Sequence, residues 1–499
     1  MTRFTRSLSA TLAHAATFAS LITLSACGSN DEPGSDVPSY EGTQPQATNP
    51  LAPSTPEQAA NPNDGANPPP LATPPGEQNP TGVPLTPPDT NTPPTNTNPP
   101  ANENPPPVTA PPGQPPAFAE NTSAACTVPT LPNANALPAI DLLPDPFLSL
   151  ATGQRITTKD QWTCRRQEIR AEAERYIYGS KPTKPESVTG SVTNNLITVN
   201  VSNQGKTTRF TVGVELPTTG SAPYPALVSV GLPPFAFSQN PLVKNEGVAV
   251  IAFDPYAIGA EGTPRNNKAG AFYDIYGNQS STGLLLAWSW GVSRILDVIA
   301  QSDGSILKAE ATAVAGCSRF GKAAFTIGAF DDRIALTIPF ESGSGGVPIW
   351  RGIPGEGAQT PQAAFTEQPW LGDAFGSFSN GVTRLPVDTH EVVSMIAPRG
   401  LLILDNPHIT NLGPISAHVA AQAGAEVFKA LGVGANISYH SAVASGMHCQ
   451  ARPEHEEPIR QNLRKFLLKT GNAPGAITAA AKGTGNLTQW RTWSTPTLQ

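Results

Sequence analysis

Positive charge is missing from a long N-terminal stretch of this chain. No lysine or arginine occurs between Arg6 and Arg155, and charged side chains make up only 14% of the 499 residues. A nucleic-acid-binding face needs clustered Lys and Arg to displace counterions, so that function class is excluded. The net charge of -7 is carried largely by this same stretch, and the remainder is close to neutral. Large apolar side chains are also scarce from 28 to 118, where Pro, Asn, Thr, Gly and Gln dominate. Such a segment cannot bury enough surface to offset its chain entropy, which excludes a folded N-terminal domain. Long apolar runs are lacking too. The one at the N-terminus ends near Leu24 and is interrupted by Ser, Thr and His, too short for a good membrane span.

What the N-terminus does have is the outline of an export signal. Thr2 to Arg6 is a positive start, and an apolar segment follows. Leu24-Ser25-Ala26-Cys27 then matches a bacterial lipobox. This makes 1–26 a lipoprotein signal peptide and Cys27 the lipidated first residue of the mature chain. The other reading of the same residues is a plain secretory signal with an incidental cysteine. Gly28 follows Cys27 where an aspartate would retain the protein at the inner membrane. The expectation is an exported, outer-membrane-anchored lipoprotein of a Gram-negative bacterium, otherwise a secreted protein, touching membrane only through its anchor. About half of the 55 prolines fall before residue 120. Residues 27–118 therefore read as an extended tether, with a reach of order 100–200 Å at about 3 Å per residue.

Residues 119–499 read as one globular domain. A helix is expected over 158–178, and an antiparallel strand pair over 196–201 and 208–216. Apolar runs at 224–230, 247–253, 334–338 and 399–404 suit buried strands. Helices are expected at 282–299, 415–431 and 456–468, with the last strand at 437–443. Strands alternating with helices imply a three-layer sandwich around a mostly parallel central sheet, with ligands beyond the carboxyl ends of the strands.

The most informative stretch is Gly316-Cys317-Ser318-Arg319-Phe320-Gly321-Lys322. It joins a short apolar strand, Ala313 to Ala315, to a helix start, Lys322-Ala323-Ala324-Phe325. A serine on such a turn is the nucleophile elbow of the α/β-hydrolase fold, although the usual G-x-S-x-G has its second glycine one residue earlier. The helix aims its N–H groups at a developing oxyanion. Lys322, one turn on, puts a cation on the same face. A serine nucleophile needs a base, and the base needs a carboxylate to orient it. Among seven histidines, His448 lies in a short loop after the last strand, just before the last helix, where this fold keeps its base. Two acids end strands after the elbow, Glu341 and Asp405, and topology does not choose between them.

The elbow, as written, resembles the signature of glucuronoyl esterases, carbohydrate esterase family fifteen. The resemblance extends through Leu336 to Gly346 and Pro386 to Asn406. It implies Ser318 as nucleophile, His448 as base, Glu341 as acid with Asp405 as the alternative, and Arg319 as the oxyanion arginine. It implies sugar binding by Lys322, by Gln359 in Ala358-Gln-Thr-Pro361 and by Glu367 in Thr366-Glu-Gln-Pro-Trp370. It also implies the activity: hydrolysis of the ester between 4-O-methyl-glucuronate of xylan and lignin alcohols, with no metal or cofactor. Glucuronoxylan or lignin–carbohydrate esters would be the partners, and a monomer is expected. Asn411 stands where fungal members carry a tryptophan that helps hold the uronate. This leaves open an esterase for other uronate or acyl esters. A catalytically silent, tethered carbohydrate-binding protein is the rival of a different class, though binding alone needs no triad.

Leaving Cys27 aside, four of the five cysteines remain. Cys317 precedes Ser318 and Cys449 follows His448. If serine and base share a proton, these cysteines fall within bridging range, so a Cys317–Cys449 disulfide is expected. Cys126–Cys164 is then the second bridge, and the resemblance implies the same pairing.

Overall fold

The structure, a computed structural model, describes residues 118–231, 241–472 and 474–499. The chain divides into two units, Met1–Asn104 and Pro105–Gln499. Every described residue belongs to the second. The expected signal peptide, Cys27 and all of the tether but Phe118 lie outside the described residues.

Ten strands form one sheet: β1 Ser187–Val192, β2 Leu196–Asn203, β3 Lys206–Glu215, β4 Tyr224–Val230, β5 Ala249–Phe253, β6 Leu307–Cys317, β7 Ile334–Phe340, β8 Gly400–Leu404, β9 Ile437–His440 and β10 Ile477–Thr478. Their order is β1-β2-β3-β5-β4-β6-β7-β8-β9-β10. The first three strands and the β3–β5 pair are antiparallel. Every pair from β5 onward across the sheet is parallel. The expected architecture is therefore present, with local differences. β1 was not anticipated. Only Val188 on it is fully buried, so it lacks the alternation that marks a strand. β9 stops at His440 rather than Val443, because a tight turn closes from Val443 N–H to Ser441 O at 2.9 Å. It is not the last strand either, since β10 pairs with it at the sheet edge.

Alternate residues of the central strands feed two separate apolar layers, as the two-residue repeat of a strand requires. Leu227, Val250, Ala313, Ala315, Leu336, Ile338, Leu402 and Leu404 pack with Ile459, Leu463 and Phe466 of the helix Pro453–Phe466. Ala226, Val228, Ile251, Val314, Leu401, Ile403 and Tyr439 face the larger layer. There the helices Leu284–Gln301, Arg319–Phe330 and Pro414–Ala430 cover the sheet. Almost all of Leu284–Gln301 is buried, which accounts for its apolar residues on every side.

The register of the parallel strands matters most for function. Cys317 pairs with Phe340, Phe340 with Leu404, and Leu404 with His440, in one row at the carboxyl edge. The ladder runs one residue further. Ser318 N–H donates to Phe340 O (3.0 Å), Glu341 N–H to Leu404 O (2.8 Å) and Asp405 N–H to His440 O (2.9 Å). Ser318, Glu341 and Asp405 thus occupy neighbouring steps of one line, roughly 5 Å apart, the spacing of adjacent strands.

Candidate active site

Ser318 sits between β6 and its helix with φ 59° and ψ −127°. A non-glycine residue there is strained by about 1–3 kcal/mol, and the surroundings must hold it. The flanking glycines show how. A Cβ on Gly316 would lie 2.3 Å from Phe320 O, and one on Gly321 would lie 2.5 Å from Phe340 O. Both glycines let the helix start press against β6 and β7. The second glycine, one place later than usual, makes its contact with the end of β7. The helix begins at Arg319, not at Lys322 as expected, which puts Lys322 inside its first turn.

Glu341 ends β7 in a left-handed conformation, φ 45°, and is wholly buried. His448 Nδ1–H donates to Glu341 Oε2 at 2.5 Å, and Cys449 N–H donates to the same oxygen at 2.8 Å. Asn406 Nδ2 donates to Oε1 at 3.2 Å, and Arg452 stands 3.5 Å from it. Three donors and the Arg452 guanidinium therefore converge on one carboxylate, which fixes the imidazole and its tautomer, with Nε2 as the unprotonated nitrogen. His448 is 37% exposed. The loop carrying it is pinned by the Cys317–Cys449 disulfide, with Cα atoms 5.8 Å apart. Cys126–Cys164 forms the second bridge. Among the described residues no hydrogen bond joins Ser318 Oγ to His448. Such contacts commonly close only around substrate.

Asp405 does not reach the histidine. It accepts from Asn406 N–H at 2.8 Å and from the Tyr439 hydroxyl at 3.4 Å. Burial pushes its carboxyl up to about 7, with the neighbouring Glu341 and Glu356 charges adding to the effect and the Asn406 N–H opposing it. Of the two acids left open by topology, the structure puts His448 on Glu341.

Cys317, Glu341, His448 and Cys449 gather ligand-type atoms within 4.8 Å of one another. Both sulfurs are spent in the disulfide, so no thiolate is offered there. The two remaining groups are bonded to each other, and the quartet does not fit a metal centre.

A second group of side chains borders the serine. Lys322 is buried, its Nζ donating to Ser342 O at 2.5 Å and lying 5.4 Å from the centre of the Trp370 ring. Burial lowers its ammonium to about 8, against the opposing pull of the Glu367 charge. Gln359 Nε2 donates to Glu367 Oε2 at 2.5 Å, and Gln359 N–H donates to Asn411 O at 3.0 Å. The structure therefore brings Lys322, Gln359, Glu367 and the exposed Asn411 together. Arg319, next to Ser318 in the chain, lies 5.6 Å over the same Trp370 ring. Glu261 Oε2 accepts from Arg319 Nη1 at 2.7 Å. Glu261, Trp370, Asn406 and Arg452 were not anticipated as site residues. Trp370 and Asn406 end segments that the resemblance had already marked. Glu261 and Arg452 carry no local signal.

Taken as chemistry, a strained serine beside a carboxylate-held imidazole can split an acyl bond through a covalent intermediate, and the fold that carries it is that of the α/β-hydrolases. Comparison with known proteins narrows this. A family model described as "Glucuronyl esterase, fungi" matches residues 199–432. The 4-O-methyl-glucuronoyl methylesterase of Hypocrea jecorina is 36% identical over 381 residues, covering 75% of this chain and 80% of the relative. The structure of the glucuronoyl esterase catalytic domain from Hypocrea jecorina superposes with a TM-score of 0.67 at 35% identity, covering 74% of this chain and 100% of that one. A mutant glucuronoyl esterase from Sporotrichum thermophile, solved in complex with methyl 4-O-methyl-beta-D-glucopyranuronate, matches with a TM-score of 0.67 at 34% identity, covering 75% of this chain and 100% of that one. The chain belongs to the glucuronoyl esterase family, whose members are serine-type carboxylic ester hydrolases.

Proposed function

We propose that this protein hydrolyses the ester between 4-O-methyl-glucuronate on xylan and a lignin-type alcohol. The observation that carries the reading is the row at the sheet edge. It sets Ser318 one strand from Glu341, which holds His448 at 2.5 Å. His448 Nε2 takes the proton of Ser318 Oγ as the oxygen attacks the uronate C6 carbonyl. The Arg319 backbone N–H, at the start of the helix, and the Arg319 guanidinium stabilise the oxyanion. The intermediate collapses, the C6–O bond to the alcohol breaks, and His448 returns its proton to the leaving oxygen. Water, deprotonated by His448, then attacks the acyl-serine; the bond to Ser318 Oγ breaks, His448 returns the proton to that oxygen, and the free uronate leaves. Glu341 keeps Nδ1–H bonded throughout and offsets the imidazolium charge. Lys322, Gln359 and Glu367 bind the sugar.

One residue favours a second reading. Asn411 is exposed at the rim of this group and offers an amide in place of an aromatic face, which suits uronates other than the 4-O-methylated one. The leader is read as before: 1–26 a lipoprotein signal peptide, Cys27 lipidated, 27–118 a tether carrying the esterase domain 119–499. The enzyme would thus be exported, anchored in the outer membrane or otherwise secreted, and active as a monomer. The Leu24–Cys27 motif supports the lipid anchor.

Hydrolysis of methyl glucuronate, with and without the 4-O-methyl group, beside a methyl ester lacking the sugar tests the substrate. The sugar esters should be hydrolysed far faster, and Lys322→Ala should erase most of that preference. Equal rates on all three would leave an esterase and end the uronate reading.

A further inference from the structure

We infer that Glu261 is a positioning residue for the oxyanion arginine, an acid that nothing in its own stretch of sequence marks. The inference rests on the assignment of Arg319 to the oxyanion. Glu261 lies in the loop after β5, 58 residues before Arg319. Its side chain is only 11% exposed, and three donors converge on it. Oε2 accepts from Arg319 Nη1 at 2.7 Å and from the Tyr256 hydroxyl at 3.2 Å. Oε1 accepts from Trp370 Nε1 at 2.6 Å. The loop itself is stapled to the same segment as Trp370, because Gly262 N–H donates to Gln368 Oε1 at 2.7 Å.

The geometry makes one carboxylate hold two things at once. It fixes one Nη of an arginine that is otherwise 39% exposed, and among the described residues no other carboxylate pairs with that guanidinium. It also fixes the plane of the indole on whose face both Arg319 and Lys322 rest. An exposed arginine would otherwise sample many rotamers, and a donor is effective only if it is already aimed where charge develops. Two effects of Glu261 oppose each other. Its charge offsets part of the arginine's attraction for an oxyanion, while its bonds remove the reorganisation the arginine would need. The burial and the three short contacts favour the second effect.

Glutamine at this position cannot serve three donors, since its NH₂ faces one of them as a second donor. Glu261→Gln should therefore lower kcat about 10-fold with KM changed less than about threefold, because the bond it supports strengthens only in the transition state. Arg319→Ala should lower kcat about 100-fold. The decisive reading is the double variant. In the Arg319→Ala background, Glu261→Gln should cost less than about twofold in kcat, because the arginine it positions is gone; what it does through Trp370 and Lys322 falls on KM. A full 10-fold further loss in that background would overturn the inference, as would an unchanged or faster Glu261→Gln enzyme. If Arg319→Ala itself keeps full turnover, the oxyanion assignment has failed, and with it the inference. Should Glu261→Gln not fold by circular dichroism, Glu261→Asp keeps the charge but withdraws it by one methylene. It must lose kcat only while Arg319 is present.

Discussion

Replacing Asp405 with asparagine should stabilise this enzyme at alkaline pH and leave its turnover nearly intact. The side chain is buried at the end of β8, beside Glu341, with one backbone N–H and one hydroxyl as its donors. Burial, then the nearby Glu341 and Glu356 charges, raise its carboxyl from 3.8 to about 7 against the Asn406 N–H. A proton therefore binds the folded state more tightly than the unfolded chain. The stability this group contributes is complete below about pH 4 and is lost as pH rises to about 7 and beyond. Between 3.8 and about 7 lie about three pH units, each about 1.4 kcal/mol, so the wild type forfeits at most about 4 kcal/mol. Asparagine has nearly the same shape and never ionises. Urea unfolding followed by tryptophan fluorescence should show the variant gaining on the wild type as pH goes from 4 to 8. A difference independent of pH, or a wild type that is the more stable at pH 8, would refute the account of burial. Turnover tests the site in the same protein. His448 is held by Glu341, so kcat of Asp405→Asn should stay within about threefold. A loss of about 1,000-fold, the scale of a missing triad acid, would mean that Asp405 orients the base.

Two other expectations follow from how the site and the chain are held. Cys449→Ala opens a loop of sequence separation 132, for which the chain-entropy model gives at most about 5 kcal/mol. The His448 loop stays partly pinned by Cys449 N–H on Glu341, so kcat should fall about 10–100-fold before circular dichroism changes, and an unchanged kcat would dismiss the bridge as a clamp on the base. Cys27→Ser should move the protein from the membrane fraction to the soluble one at constant specific activity; unchanged fractionation would favour a plain secretory signal.

Much of the fold was legible because the central strands are buried on both faces and therefore read as short apolar runs. The elbow was legible for a related reason: a serine between glycines, directly after such a run, has few other uses. Cys317 and Cys449 could be paired because they adjoin the two residues that must meet. The limits are equally physical. β1 is an edge strand with little to bury, and β10 is two residues long. Glu341 and Asp405 could not be separated because both stand one step beyond the same paired row. What separates them is the path of the His448 loop, which brings Cys449 N–H and the imidazole onto Glu341 together. Glu261 was invisible because its meaning lies in three partners, two of them far along the chain. Trp370 was in view as part of a familiar segment. Its use as a floor under two cations depends on a loop from another strand.

The central claim is that Ser318 carries the acyl group of a glucuronate ester. The most direct test is to measure both binding and turnover of methyl 4-O-methyl-glucuronate by Ser318→Ala. Turnover should fall by about 10⁴–10⁶, while calorimetric affinity for the ester stays within a few fold of the wild-type KM. More than a few per cent of wild-type turnover in this variant would contradict the claim and move the nucleophile elsewhere.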